Sequence, residues 1–364
     1  MLRRRFLQLL AAAVPAAPAA RARGASARAV PRVNGGINLQ PLRRLDRGSG
    51  PPIEPELVDL QLAAVYALGF EQVRVTLPFN RFDPNFFAAI PYVRASRALG
   101  IDVLGVVSDF AGYSLLQALG TPRSRAAVLN TYRDVFLLTE VEPAAPCVER
   151  AGGFALQVLN EPTHALGIDP GDYVREFLGP VNEFFKLRDP ALVVVSGAEV
   201  GNIDGIYRVR AMIEAGLHAH CDRVAYHVYS RRLVPLLAGL ARRPVWITES
   251  GAEGGASHLP WVRDVFPEIR RGIAGVERIF FYVLFDAAPG RFRLLDIAHD
   301  ASGAARARVE SEQLVEHLRS RAGEAAGGQP TASYEELIPD IRAYFPTQAD
   351  VDRVLEALPF LPPG

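Results

Sequence analysis

Lysine is all but missing from this chain of 364 residues: of its 40 basic residues only Lys186 is a lysine, and the others are arginine. That bias reflects GC-rich coding and says nothing of function. Cysteine is nearly as scarce. Cys147 and Cys221 are the only two, which excludes a disulfide scaffold and a cysteine-rich zinc module; in an oxidising compartment they either pair or persist as buried thiols. Net charge is absent too, with 40 acids against 40 bases, so the balance gives no support to nucleic-acid or anionic-membrane binding. Past the N-terminal segment no stretch approaches 18 apolar residues, so no integral membrane segment is expected in the mature chain. Also missing are a Gly-rich phosphate cradle, a Ser/His/Asp order and any repeat of fixed period. What is present, 49% hydrophobic and 22% charged residues, describes a folded chain long enough for one large domain or two medium ones.

Residues 1–27 read as an export signal. Arg3-Arg4-Arg5-Phe6-Leu7 opens it, an uncharged segment follows to Ala20, and Ala25-Ser26-Ala27 offers a small-x-small cleavage site. The arrangement resembles a twin-arginine signal, which implies the twin-arginine export machinery as partner of the precursor and a periplasmic or secreted product. An ordinary secretory signal has a similar basic start and stays open as the alternative.

From residue 28 to 325 short apolar runs alternate with longer helical patterns. Strands are expected at Val33–Asn38, Gln72–Leu77, Asp102–Val107, Phe154–Asn160, Leu192–Ser196, Arg223–Tyr229, Val245–Glu249 and Arg278–Phe285. Helices are expected near 55–68, 84–99, 123–140, 171–188, 205–219, 231–241, 258–272 and 306–321, with Gly69, Gly100 and Gly272 as stops. The strands are apolar on consecutive residues, as strands covered on both faces are. Eight strand-then-helix units predict an α/β chain in the closed (β/α)8, or TIM, barrel form. An open doubly wound sheet is the rival, but it wants a Gly-rich turn that Val33-Asn34-Gly35-Gly36 does not supply. Gly323–Pro330 reads as a linker, and residues 326–364 as linker plus an acidic helical extension.

In such a barrel the residues at the C-terminal strand ends make the active site. The fourth strand exits into Asn160-Glu161-Pro162 and the seventh into Thr248-Glu249-Ser250. Two carboxylates across one barrel mouth are what glycoside hydrolysis needs: one protonated to serve the leaving oxygen, one ionised to attack the anomeric carbon. Each glutamate alone has an ordinary alternative, a helix cap or an ion pair with arginine.

Asn160-Glu161-Pro162 followed by a strand-seven Glu249 resembles the clan A glycoside hydrolases, with Glu161 at the position of the acid/base and Glu249 at that of the nucleophile. Gly36-Ile37-Asn38-Leu39, Val73-Arg74-Val75 and His227-Val228-Tyr229 resemble strand-end motifs of family 5, the cellulase-like family. The resemblance spans about residues 31–300. It implies that Arg74 and Tyr229 support Glu249, that His227 shapes a sugar subsite, that Asn160 serves a sugar 2-hydroxyl, and that the reaction retains configuration with no cofactor or metal. Two departures leave families 39 and 128 open as well. The third strand exits into Val107-Ser108-Asp109-Phe110 without a histidine. The eighth has no tryptophan, so Phe285 or Tyr282 is the candidate sugar platform.

Lesser candidates are Glu253 as another carboxylate, Glu199 and Asp204 as sugar ligands or helix starters, and Tyr113, Phe110 and Trp261 as stacking or packing aromatics. His218-x-His220-Cys221 reads as a surface cluster rather than a metal site. The expectation is therefore a retaining β-glycosidase acting on a carbohydrate, and its rival a non-catalytic carbohydrate-binding or exopolysaccharide-assembly protein on a degenerate barrel.

Overall fold

The computed structural model describes residues 34–39, 55–77, 89–107, 152–285, 291–299, 301 and 305–326. The signal segment 1–27, the expected helix near 123–140, Cys147, Phe110, Tyr113 and the extension beyond residue 326 lie outside the described residues.

Eight parallel strands form the molecule's centre: β1 (Asn34–Leu39), β2 (Phe70–Leu77), β3 (Asp102–Val107), β4 (Phe154–Val158), β5 (Val193–Val195), β6 (Val224–Val228), β7 (Val245–Ser250) and β8 (Val276–Phe281). Their spatial order is β5-β4-β3-β2-β1-β8-β7-β6. A bridge between Val195 and Arg223 joins the two ends, so the expected barrel is the fold. That seam is thin. Backbone bonds run from Ser196 N to Arg223 O (3.0 Å) and from Asp222 N to Val194 O (2.8 Å), and the Asp222 carboxylate accepts from Val194 N at 2.8 Å. The Lys186 ammonium in turn reaches Asp222 at 2.7 Å and Leu192 O at 2.6 Å.

Alternation along the strands separates two cores. Val73, Val75, Leu156, Val158, Ile247 and Ile279 pack outward into the main core under the helices. Leu104, Ala155, Val195, Ala225, Trp246 and Phe280 form a second cluster that fills the interior as a packed layer, not a pore. Gly36 on β1 is required there, because a Cβ would strike the Phe280 ring.

Helices follow where the patterns placed them, at Pro55–Ala67, Ala89–Ala98, Gly179–Arg188, Ile203–Glu214, Val234–Leu237, Gly255–Pro260 and Phe266–Gly272. Gly69 (φ 65°) and Gly100 (φ 67°) turn the chain left-handed behind the first two, a conformation glycine reaches without steric cost. Asn202 caps Ile203–Glu214 by accepting from Gly205 N at 2.9 Å.

The last unit corrects the sequence reading. The stretch expected as a helix near 306–321 begins as a strand: Leu295–His299 (β9) and Ala305–Val309 (β10) pair antiparallel, and the helix is Glu312–Ala325. Ala and Arg favour helices, but Ala305-Arg306-Ala307-Arg308-Val309 repeats with period two, and pairing with β9 decides the outcome. The same helix includes Gly323, so the linker does not begin there. Four strands are also shorter than expected: β5 and β6 lose one residue at each end, and β4 and β8 stop early at their C-terminal ends. β4 stops at Val158 because Leu159 (φ 63°) and Glu161 (φ 45°) leave extended geometry. β8 stops at Phe281, beyond which Tyr282 N bonds Ser250 O and Leu284 N bonds Asn38 O.

Candidate active site

The polar strand ends converge at the C-terminal mouth of the barrel, above the packed interior layer. Arg74 from β2 is the hub. Its Nη1 donates to Glu249 Oε1 (2.8 Å) and to Asn38 Oδ1 (2.7 Å), its Nη2 to Asn160 Oδ1 (2.6 Å), and its Nε to Gln157 Oε1 (3.0 Å). One guanidinium thus ties β1, β4 and β7 together, using the fixed fork of donors that only arginine has. Asn38, 2% exposed, passes the tie onward by donating to Thr248 O (3.0 Å) and Phe281 O (3.2 Å). It is a brace, not a surface that substrate can touch.

Glu249 at the end of β7 is almost wholly buried. Its second oxygen accepts the Tyr229 hydroxyl at 2.7 Å. Burial by itself pushes its carboxyl up; the electrostatic influence of His227, the Arg74 guanidinium and the hydrogen bonds from Tyr229 and Arg74 outweigh that, and the net position is below the usual value. Tyr229 moves the other way. Burial first, then the neighbouring Glu249 charge, drives its hydroxyl well above the ordinary tyrosine range, so it stays a donor.

Glu161 is half-buried with its side chain 21% exposed, and His227 Nδ1 lies 3.1 Å from its Oε1. The other ring nitrogen of His227, Nε2, lies 3.4 Å from Glu249 Oε1. The ligand atoms of Glu161, His227 and Glu249 all fall within 4.8 Å of one another, the one such trio among the described residues. As a metal site the trio is poorly charged, because the Arg74 guanidinium already occupies the cationic position against Glu249. As a pair of carboxylates at short range it matches general acid and nucleophile.

The structure brings Arg74, Asn38, Asn160, Glu161, His227, Tyr229 and Glu249 together, and with its Oδ1 committed to Arg74, Asn160 has its amide donor left over. Phe285 does not join them. It is 1% exposed and packed in the main core, because the chain leaves β8 after Phe281 and turns that ring inward. The aromatic neighbours of the site are Tyr282 and Phe292, whose rings stand 6.1 and 5.4 Å from that of Tyr229. Trp261 packs against the core and donates to Ser250 Oγ at 3.0 Å. Glu253 is exposed and paired with Arg291 (2.9 Å), away from chemistry. Cys221 is a buried free thiol, pushed by burial up to about 12. Asp204 lies in the first turn of its helix. Gln157 escaped the sequence reading altogether. Its only signal was a polar residue inside an apolar strand, 0% exposed in the fold, holding Arg74 and donating to Leu159 O (3.1 Å).

No protein-family model and no curated protein sequence matches the chain. Solved structures do match in fold. The endo-1,4-β-D-mannanase of Thermotoga petrophila RKU-1 is 14% identical, with 79% of this chain and 99% of that one covered at a TM-score of 0.51. An endo-β-1,4-glucanase of Xanthomonas axonopodis pv. citri is 15% identical, covering 81% and 100% at 0.53. A hyperthermostable endocellulase is 12% identical, covering 79% and 92% at 0.50. The chain is thus a (β/α)8 barrel whose fold is shared with glycoside hydrolases, the enzymes its strand-end motifs resemble.

Proposed function

We propose that the chain is an exported retaining glycoside hydrolase that cleaves β-glycosidic bonds in a polysaccharide or oligosaccharide by double displacement. The observation that carries the reading is that one carboxylate oxygen of Glu161 lies within 4.8 Å of one of Glu249. Retaining enzymes hold this pair about 5–5.5 Å apart, whereas inverting ones leave about 6.5–9.5 Å for a water between them. In the first step Glu249 attacks the anomeric carbon while Glu161 gives its proton to the leaving oxygen. Arg74 and Tyr229 hold Glu249 ionised and aimed until the ester forms. In the second step Glu161, now a carboxylate, takes a proton from water, which displaces Glu249 and restores both groups. The Asn160 amide is placed to serve a sugar hydroxyl throughout. No cofactor enters the cycle. Among the described residues no helix is long and apolar enough to cross a membrane, and export rests on the signal pattern of residues 1–27.

The test is a panel of 2-deoxy-2-fluoroglycosides with activated leaving groups, followed by peptide mass spectrometry. A covalent glycosyl adduct on Glu249 is expected; turnover with no adduct on Glu249 rejects the nucleophile, and inertness to every sugar returns the barrel to a binding role. Activity that survives strong chelation separates the reading from a metal-dependent hydrolase using the same trio.

A further inference from the structure

We propose that Glu199, on the loop after β5, is a positioning residue that holds the acid Glu161 in its working geometry; this rests on the reading of Glu161 as the acid. Both residues beside Asn160 have left-handed backbone, Leu159 at φ 63° and Glu161 at φ 45°. Side-chain-bearing L-residues avoid that region, and such a conformation persists only where the surroundings impose it. For Glu161 they come from the following barrel unit. Glu161 N donates to Ala198 O at 2.8 Å, and Glu161 O accepts from Ala165 N at 2.7 Å. The next two amides of the turn are taken by one carboxylate: Thr163 N donates to Glu199 Oε1 (2.9 Å) and His164 N to Glu199 Oε2 (3.1 Å). Arg208, on the helix Ile203–Glu214, grips the same turn from its carbonyl side, donating to Thr163 O and Thr163 Oγ1 at 3.0 Å each.

Glu199 is 2% exposed and therefore not a ligand for sugar. Both its oxygens accept N–H bonds, the arrangement that an ionised carboxylate satisfies, while burial raises its carboxyl above the usual value in spite of the lowering by the Thr163 and His164 bonds and Arg208. A buried charge is costly to keep. Its bonds to the turn that carries Glu161, rather than to any turn of the outer helices, tie that cost to the placement of the acid. Glutamine in its place keeps one acceptor but turns an NH2 donor against the second backbone N–H, so the turn loses half its hold.

The experiment compares wild type, Glu199→Gln and Glu199→Asp on two aryl glycosides of the sugar the enzyme accepts, one with a dinitrophenol leaving group and one with phenol. The acid matters for phenol and hardly at all for dinitrophenol. Glu199→Gln should therefore lower kcat/KM for the phenyl glycoside about 10²-fold, the scale of general-acid catalysis, and change the dinitrophenyl rate less than about 3-fold. Glu199→Asp, which keeps the charge, should fall between. Arg208→Met provides the same split from the other side of the turn, should Glu199→Gln not fold. Equal losses on both substrates, or no loss on either, overturn the proposal. Glu161→Gln run beside them should show the same leaving-group split; if it shows none, the reading of Glu161 itself fails, so the two failures are distinguishable.

Discussion

His227 Nδ1 lies 3.1 Å from Glu161 Oε1, while the far nitrogen of the same ring faces Glu249 at 3.4 Å. One imidazole, its side chain fully buried, therefore stands between the two carboxylates of the proposed mechanism. During the first step the negative charge passes from Glu249 to Glu161, from one side of that ring to the other. The ring remains beside the charge in both states, which limits the reorganisation each step requires.

Removing the proton of Glu161 without changing its shape isolates the first step. Glu161→Gln should lower turnover of glycosides with poor leaving groups by about 10²–10⁴-fold, the range for general acid–base catalysis, and spare formation of the intermediate from activated ones. Burst kinetics with a dinitrophenyl glycoside read this directly. Equal losses for both leaving groups would remove Glu161 from the role of acid.

Tyr229→Phe deletes one of the donors that hold Glu249 below the usual carboxylate value. Its carboxyl should move up, so the acidic limb of the kcat/KM profile should shift to higher pH. The same linkage governs stability. A depressed carboxyl contributes stability that is complete above its ordinary value, 4.5, and is lost as pH falls through the lower folded-state value. Acid unfolding of Tyr229→Phe should therefore begin at higher pH than that of wild type, measured by circular dichroism across the acid range.

Arg74→Lys keeps the charge and loses the fork. A single ammonium cannot reach Glu249, Asn38, Asn160 and Gln157 at once. Activity should fall by about 10²–10³-fold, comparable to loss of a preorganised donor. Arg74→Met removes the charge too and should cost about 3–5 kcal/mol of stability, because Glu249 is then buried unpaired. Thermal melts of the two variants, with the lysine form clearly the more stable, would agree with this; equal melts would not.

Lys186→Met tests the barrel seam. The ammonium bonds Asp222 and the carbonyls of Leu192 and Pro190, but the pair is about one-third exposed, so its loss should cost only about 1 kcal/mol. A Tm lower by roughly 2–4 °C with unchanged kcat/KM is expected. A large activity loss would mean that the seam reaches the site.

Much of this was legible in one dimension. Alternation of apolar runs with helical patterns sets eight units, and a strand ending in Asn160-Glu161 or Thr248-Glu249 must deliver its polar residues to one end of a barrel, because every parallel strand points the same way. Hence Glu161 and Glu249 could be named from their places at strand ends, and Arg74, Asn160, His227 and Tyr229 from strand motifs that resemble those of glycoside hydrolases. Other features depended on distances that no local pattern encodes. Period two tells that Gln157 alternates with its neighbours, but only the stagger between β2 and β4 brings it to Arg74 at 3.0 Å. Phe285 looked like a strand end until the chain left β8 four residues earlier and buried the ring. Ala305–Val309 has the residues of a helix and the period of a strand, and its partner Leu295–His299 decided between them. Glu199 is the clearest case. Its two acceptors meet backbone amides 36 and 35 residues earlier in the chain, because the parallel pairing of β4 with β5 sets the loop after β5 against the turn after β4.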